Sequence, residues 1–198
     1  MPELALDQCG RLISRPAREY KQLRMTPYTE KDLTLNAGER LSLPVSGRQL
    51  EVVLTVQRGE GVFELGIAAS SDENEVTLLG CDPQTGKVWL DTTRSSLSNE
   101  VMTGVQEISV PNPEEEYVQL RVILDGSVIK VWVDDAFSLS GRIYPTLGSS
   151  QTVYMAAKQE NIRISGLSVC QLGSSLEGKL RQKGLSGKLS IKCLIILK

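Results

Sequence analysis

A chain of 198 residues, 40% hydrophobic and 23% charged with a formal net charge of −2, has the composition of a globular protein able to bury one sizeable core. Near-neutral charge gives no reason to expect nucleic acid as a partner, and no window approaches the ~20 apolar residues that span a bilayer. Histidine is absent, which removes Ser-His and Cys-His chemistry and the commonest metal ligand, so no metal or other cofactor is expected.

Residues 1–30 are short apolar beats (Leu4, Leu6, Leu12, Ile13) broken by Gly10, Pro16 and Pro27. Ala17 to Leu23 has room for two helical turns, with Pro16 in the first helical position, where its missing N–H is harmless. The stretch reads as a lead-in segment, or linker, without a core of its own. From Asp32 the period becomes two: Leu33 and Leu35, Leu41 and Leu43, then Leu50, Val52, Leu54 and Val56, punctuated by Asn36-Ala37-Gly38 and Ser46-Gly47. Further strands are predicted at 62–69, 76–79, 87–91 and 105–110. Asp82-Pro83-Gln84-Thr85-Gly86 is a turn in which Pro83 fixes φ and Gly86 is permissive.

The organising stretch is 116–145, EYVQLRVILDGSVIKVWVDDAFSLSGRIYP. With Asp125-Gly126 as a two-residue type I′ loop, Val122 faces Ile129, Leu120 faces Val131 and Val118 faces Val133, an unbroken apolar row that must be core. The other side then pairs Ile123 with Val128, Arg121 with Lys130 and Gln119 with Trp132. Strands at 142–144, 152–157 and 162–172 follow. Turn signals every 8 to 12 residues or so are the spacing of an all-β sandwich.

Residues 173–198 differ: six Lys or Arg stand against one acid, Glu177, and the segment ends in the apolar Leu194 to Leu197. Glycines at 178, 184 and 187 interrupt any helix, so this reads as a basic disordered tail. The four cysteines, Cys9, Cys81, Cys170 and Cys193, form no Cys-x-x-Cys and read as isolated thiols. Met1 to Gly10 shows neither a basic region nor an apolar run, so no secretory leader is expected and a cytoplasmic location is.

Several pieces in order carry a family resemblance. They are Pro2-Glu3-Leu4 with Gly10-Arg11-Leu12 and Arg15-Pro16; Phe63-Glu64-Leu65-Gly66-Ile67 with Cys81-Asp82-Pro83 and Thr85-Gly86; and, most specifically, Leu120-Arg121-Val122, Asp125, Ser127, Val131-Trp132-Val133 and Arg142-Ile143-Tyr144-Pro145. Over residues 1–172 the chain resembles the C-terminal β-sandwich module of glycoside hydrolase family 32, the invertase, levanase and sucrose-6-phosphate hydrolase group. The resemblance implies an all-β, two-sheet antiparallel β-sandwich of the concanavalin A-like, lectin-like jelly-roll kind over 31–172. It also implies a catalytic β-propeller as the partner domain, in cis or in trans, against which Leu4, Leu6, Leu12 and Tyr144 would pack. Two positions depart from the family pattern: Pro2 is followed directly by Glu3 where Arg usually intervenes, and Lys130 stands where Glu is usual.

The propeller's Asn-Asp-Pro-Asn, Arg-Asp-Pro and Glu-Cys motifs do not occur here, and Asp82-Pro83 sits in the sandwich turn. Retaining glycoside hydrolysis needs two carboxyl groups about 5–5.5 Å apart. The dense sets, Glu114 to Glu116 and Asp134-Asp135, read as a loop and a turn. The expected function is therefore that of a non-catalytic module of a fructosyl hydrolase, inactive by itself, steadying the propeller. The alternatives are a free-standing carbohydrate-binding module for sucrose or fructan, with Trp89 and Trp132 as stacking platforms, or a fragment of a complete hydrolase. Both tryptophans equally suit a gap between sheets or a domain seam. An orphaned module would expose an apolar seam and self-associate.

Overall fold

The computed structural model of the protein describes residues 2–6, 10, 12–59, 61–111 and 116–173. The chain opens with β1 (Pro2–Leu6), β2 (Leu12–Pro16) and a single helical turn, α1 (Tyr20–Leu23). Next come β3 (Tyr28–Leu35), β4 (Arg40–Ser42), β5 (Gln49–Gln57), β6 (Phe63–Ala69), β7 (Thr77–Asp82), β8 (Lys87–Asp91) and β9 (Val105–Ser109). The second half supplies β10 (Tyr117–Asp125), β11 (Val128–Val133), β12 (Phe137–Arg142), β13 (Thr152–Ala157) and β14 (Ile162–Gln171).

Two antiparallel six-stranded sheets make a sandwich, one ordered β12-β11-β10-β5-β14-β3 and the other β4-β13-β6-β7-β8-β9, while β1 and β2 pair as a separate hairpin. The expected alternation holds because successive strand residues face opposite sides. Leu50, Val52, Leu54 and Val56 of β5 and Val118, Leu120, Val122 and Leu124 of β10 enter one core with Phe63, Leu65 and Ile67 of β6 and Leu79, Val88 and Leu90 of β7 and β8. Each such side chain contributes about 1.5–3 kcal/mol on burial.

The central hairpin corrects the predicted register. Asp125 pairs with Val128, Leu124 with Ile129, Val122 with Val131 and Leu120 with Val133, so the loop is Gly126-Ser127. Among these turn residues only Gly126 has a left-handed φ, 60°. That is the pattern of a II′ turn, which asks for glycine at its first central position, whereas the expected I′ loop would force Asp125 to positive φ. The shift is two residues, not one, so the apolar row stays in the core. The partners on the other side change: Arg121 lies opposite Trp132 and Lys130 opposite Ile123, and the expected facing of two cations does not occur.

Two further differences concern element limits. The strand after the hairpin starts at Phe137, where Asp134 and Asp135 (φ 49° and 55°) have turned the chain back after Val133, and it ends at Arg142, before Ile143 and Tyr144, because its partner β11 begins at Val128 opposite Arg142. The predicted two-turn helix is one turn, held by i to i+3 bonds from Tyr20, Lys21 and Gln22. Cys9, Cys193, Glu114, Glu115 and the basic tail beyond Gly173 lie outside the described residues.

Candidate functional site

Strict alternation breaks on both outer faces, where outward-facing residues are nevertheless buried. On the first sheet Glu51, Ile123, Trp132 and Cys170 point away from the core yet are buried. Tyr20 and Leu23 pack over Ile123, Trp132, Cys170 and Leu172, so the lead-in segment covers this face. It is pinned along its length. Ser14 N–H donates to the Asp135 carbonyl at 3.0 Å and Arg15 Nε reaches the Asp135 carboxylate at 2.8 Å. Met25 N–H donates to the Gln171 carbonyl at 2.9 Å, and Gly173 N–H to Leu23 at 2.7 Å. Glu51, beneath, accepts from Arg24 Nη2 and from Arg121 Nη1, each at 2.8 Å.

Trp132 is only 4% exposed. Its indole N–H donates to Ser14 Oγ at 3.3 Å, and the Lys130 ammonium stands 5.0 Å from its ring centroid. Trp89 sits on the outer face of the opposite sheet, half-buried, directly over its cross-strand partner Gly80. A Cβ at Gly80 would come within 1.9 Å of that indole, and one at Gly66 within 2.2 Å of the Tyr154 ring. Arg40 covers Tyr154 at 3.4 Å from its centroid. The two tryptophans therefore belong to separate surfaces on opposite sides of the sandwich.

Leu4, Leu6 and Leu12 are 65%, 69% and 62% exposed on the β1–β2 hairpin, where Leu6 pairs with Leu12. Tyr144, 45% exposed, lines a different feature, a cleft of about 690 Å³ at the side of the sandwich where β9 and β12 form the sheet edges. Met102 and Val105, both exposed, share that cleft with Arg142, Glu100 and Gln106. Strand β12 borders both features, touching β2 and β9.

Two loops that contribute residues to the cleft are tied together by a residue that period-two reading could not single out. Glu75 is fully buried just before β7. Its carboxylate accepts from Leu97 N–H (2.9 Å), Thr146 N–H (2.7 Å) and hydroxyl (2.6 Å), Leu147 N–H (2.9 Å) and Ser150 hydroxyl (2.6 Å). Burial would raise its pKa, but the bonds from Ser150, Thr146 and Leu147 stabilise the ionised form and hold it at about 2. Its sequence signal, an acid between two strands, is shared by many solvated turn residues.

The carboxylates considered for catalysis do other work. Asp82 accepts from Gln84 and Thr85 N–H at 3.0 and 3.1 Å. Burial works against its charge, but the Thr85 and Gln84 bonds prevail and lower its pKa. Asp134 accepts from Gln119 N–H at 2.7 Å, and Asp135 anchors Arg15. Glu116 accepts from Gln57 at 2.8 Å. Burial pushes the Cys81 thiol up to about 12, which keeps it in the neutral thiol form. Among the described residues no group of three His, Cys, Asp or Glu is placed to hold a metal ion.

Residues 19–171 match the family model described as glycosyl hydrolases family 32 C terminal. The chain belongs to that family of domains. It is 25% identical over 143 residues to the sucrose-6-phosphate hydrolase of Zymomonas mobilis, covering 69% of this chain and 27% of the relative. With the raffinose invertase of Escherichia coli it shares 28% over 177 residues, covering 84% of this chain and 33% of that protein. The family 32 domain thus spans about a quarter to a third of the curated relatives it matches. Its fold is similar to part of the exo-inulinase of Aspergillus awamori, with a TM-score of 0.78 at 20% identity over 87% of this chain and 35% of that one.

Proposed function

We propose that this family 32 domain is the non-catalytic sandwich of a β-fructofuranosidase-type enzyme, and that it steadies a catalytic propeller seated on the β1–β2 hairpin and the Tyr144 side of the molecule. The observation that carries this reading is the hairpin itself. A two-stranded ribbon is marginal in water, yet this one presents Leu4, Leu6 and Leu12 to solvent while its second strand is fastened to the sandwich through Ser14 and Arg15. A partner surface closing over the three leucines would remove their apolar area from water at about 25 cal/mol per Å². Sucrose or a fructan would then be the substrate of the partner domain, in keeping with the names of the relatives.

The test is a chimera in which this chain replaces the corresponding C-terminal part of the E. coli raffinose invertase. Active, soluble chimera whose thermal half-life drops when Leu4, Leu6 and Leu12 become Ser supports the reading. A chimera whose half-life ignores those substitutions overturns it.

A second reading, direct binding of sucrose or fructan, is favoured by one observation: Trp89 lies over a glycine on an outer face and is not fully buried. Titration with inulin, levan and sucrose would then change tryptophan fluorescence in the native chain and leave Trp89→Phe unchanged. An unresponsive native spectrum removes this reading.

A further inference from the structure

The lead-in segment and the first sheet enclose a cavity of about 320 Å³ lined by five cations, Arg15, Arg18, Lys21, Arg24 and Arg121. The opposing carboxylates are Glu3 and Asp135 on its wall and Glu51 beneath Arg24 and Arg121. Positive charge is left over. Arg15 is matched by Asp135 at 2.8 Å, but Arg18 approaches Glu3 only to 3.5 Å, and Arg24 and Arg121 share the one carboxylate of Glu51. Lys21 forms no ion pair with a described residue. The Arg121 Nε is buried without a hydrogen-bond partner, and such a donor costs free energy until an acceptor reaches it.

Guanidinium groups present several N–H donors in a planar fork that matches the oxygens of a phosphate. We propose that this cavity binds a phosphate group, either free or as the monoester of a small organic molecule. The monoester has a place for its body: an adjoining cleft of about 270 Å³ shares Pro16 and Tyr20 with the cavity and is walled by Ile123, Val128 and Trp132. The proposal needs no catalytic domain and stands on the cations alone.

The experiment is calorimetric titration of the full chain with inorganic phosphate, glucose 6-phosphate and glucose at constant ionic strength. Both phosphates bind and glucose does not. Tighter binding of glucose 6-phosphate identifies the monoester as the ligand, and equal binding identifies the free anion. Arg18→Gln with Lys21→Gln, both exposed positions, weakens binding by about tenfold or more, the scale of a lost charge-assisted hydrogen bond. Lys31→Gln, on β3 and outside the cavity, does not. Absence of heat with either phosphate, or equal affinity in the double variant, overturns the proposal.

Discussion

Glu75 Oε2 accepts a 2.6 Å hydrogen bond from the hydroxyl of Ser150, joining the approach to β7 with the segment that precedes β13. The same carboxylate reaches Leu97, Thr146 and Leu147, so one buried charge ties the two loops that contribute to the lateral cleft to the loop before β7. A side chain with its pKa depressed from 4.5 to about 2 stabilises the fold fully above the higher value and loses that contribution as pH falls towards the lower. The linkage amounts to about 3 kcal/mol. Urea unfolding of the native chain and Glu75→Gln should differ most at neutral pH and converge as pH drops from 4.5 to 2. A constant difference across that window would refute the assignment.

Glu51 is the corresponding residue on the first sheet, holding Arg24 and Arg121 together. Glu51→Ala leaves two guanidiniums facing each other across a buried site, and breaking a buried pair costs about 3–5 kcal/mol. Because Arg24 belongs to the lead-in segment, that segment should loosen first. Limited trypsin digestion should then cut at Arg18, Lys21 or Arg24 much faster than in the native chain, and Trp132 emission should shift to the red as its cover lifts.

Gly80 exists to let Trp89 lie flat. Gly80→Ala would put a methyl carbon 1.9 Å from the indole, and overpacking of this kind typically costs about 1–3 kcal/mol. If the indole is the cause, Gly80→Ala should cost far less in a Trp89→Ala background, and a double-mutant cycle by urea unfolding should return a coupling of about 1 kcal/mol or more. Additive effects would mean that the strain lies in the backbone.

The exposed leucines make a separate prediction about association. Leu4→Ser, Leu6→Ser and Leu12→Ser together should change unfolding stability little, since substitutions at exposed positions usually stay within about 0.5 kcal/mol each. They should nevertheless lower the weight-average mass seen by sedimentation if the native chain self-associates through this hairpin. A native chain that sediments as a monomer at all concentrations would rule out the hairpin as a self-association surface.

The alternating leucines and valines of 33–56 and 118–133 made the sandwich legible because strand geometry turns a local pattern directly into a buried face. The candidate surfaces were less legible. Trp132 and Trp89 look alike in sequence, each an aromatic in a strand, and only the course of residues 12–24 decides that Trp132 is covered. Tyr144 and the three leucines, expected at one interface, occupy two distinct features, a cleft and a hairpin, both bordered by β12.

By itself the sequence determined the fold class, the inward side of each major strand and the family to which the domain belongs, because side-chain alternation and short motifs act within a few residues. Tertiary structure decided the rest. The register of the central hairpin depended on which residue of the loop takes positive φ, and Gly126 does so while its N–H is held by Arg48 at 2.8 Å. The roles of Glu75 and Glu51 depended on donors from remote stretches of chain. A carboxylate's place in a fold is set by the partners that reach it, and those are brought together only when the two sheets close.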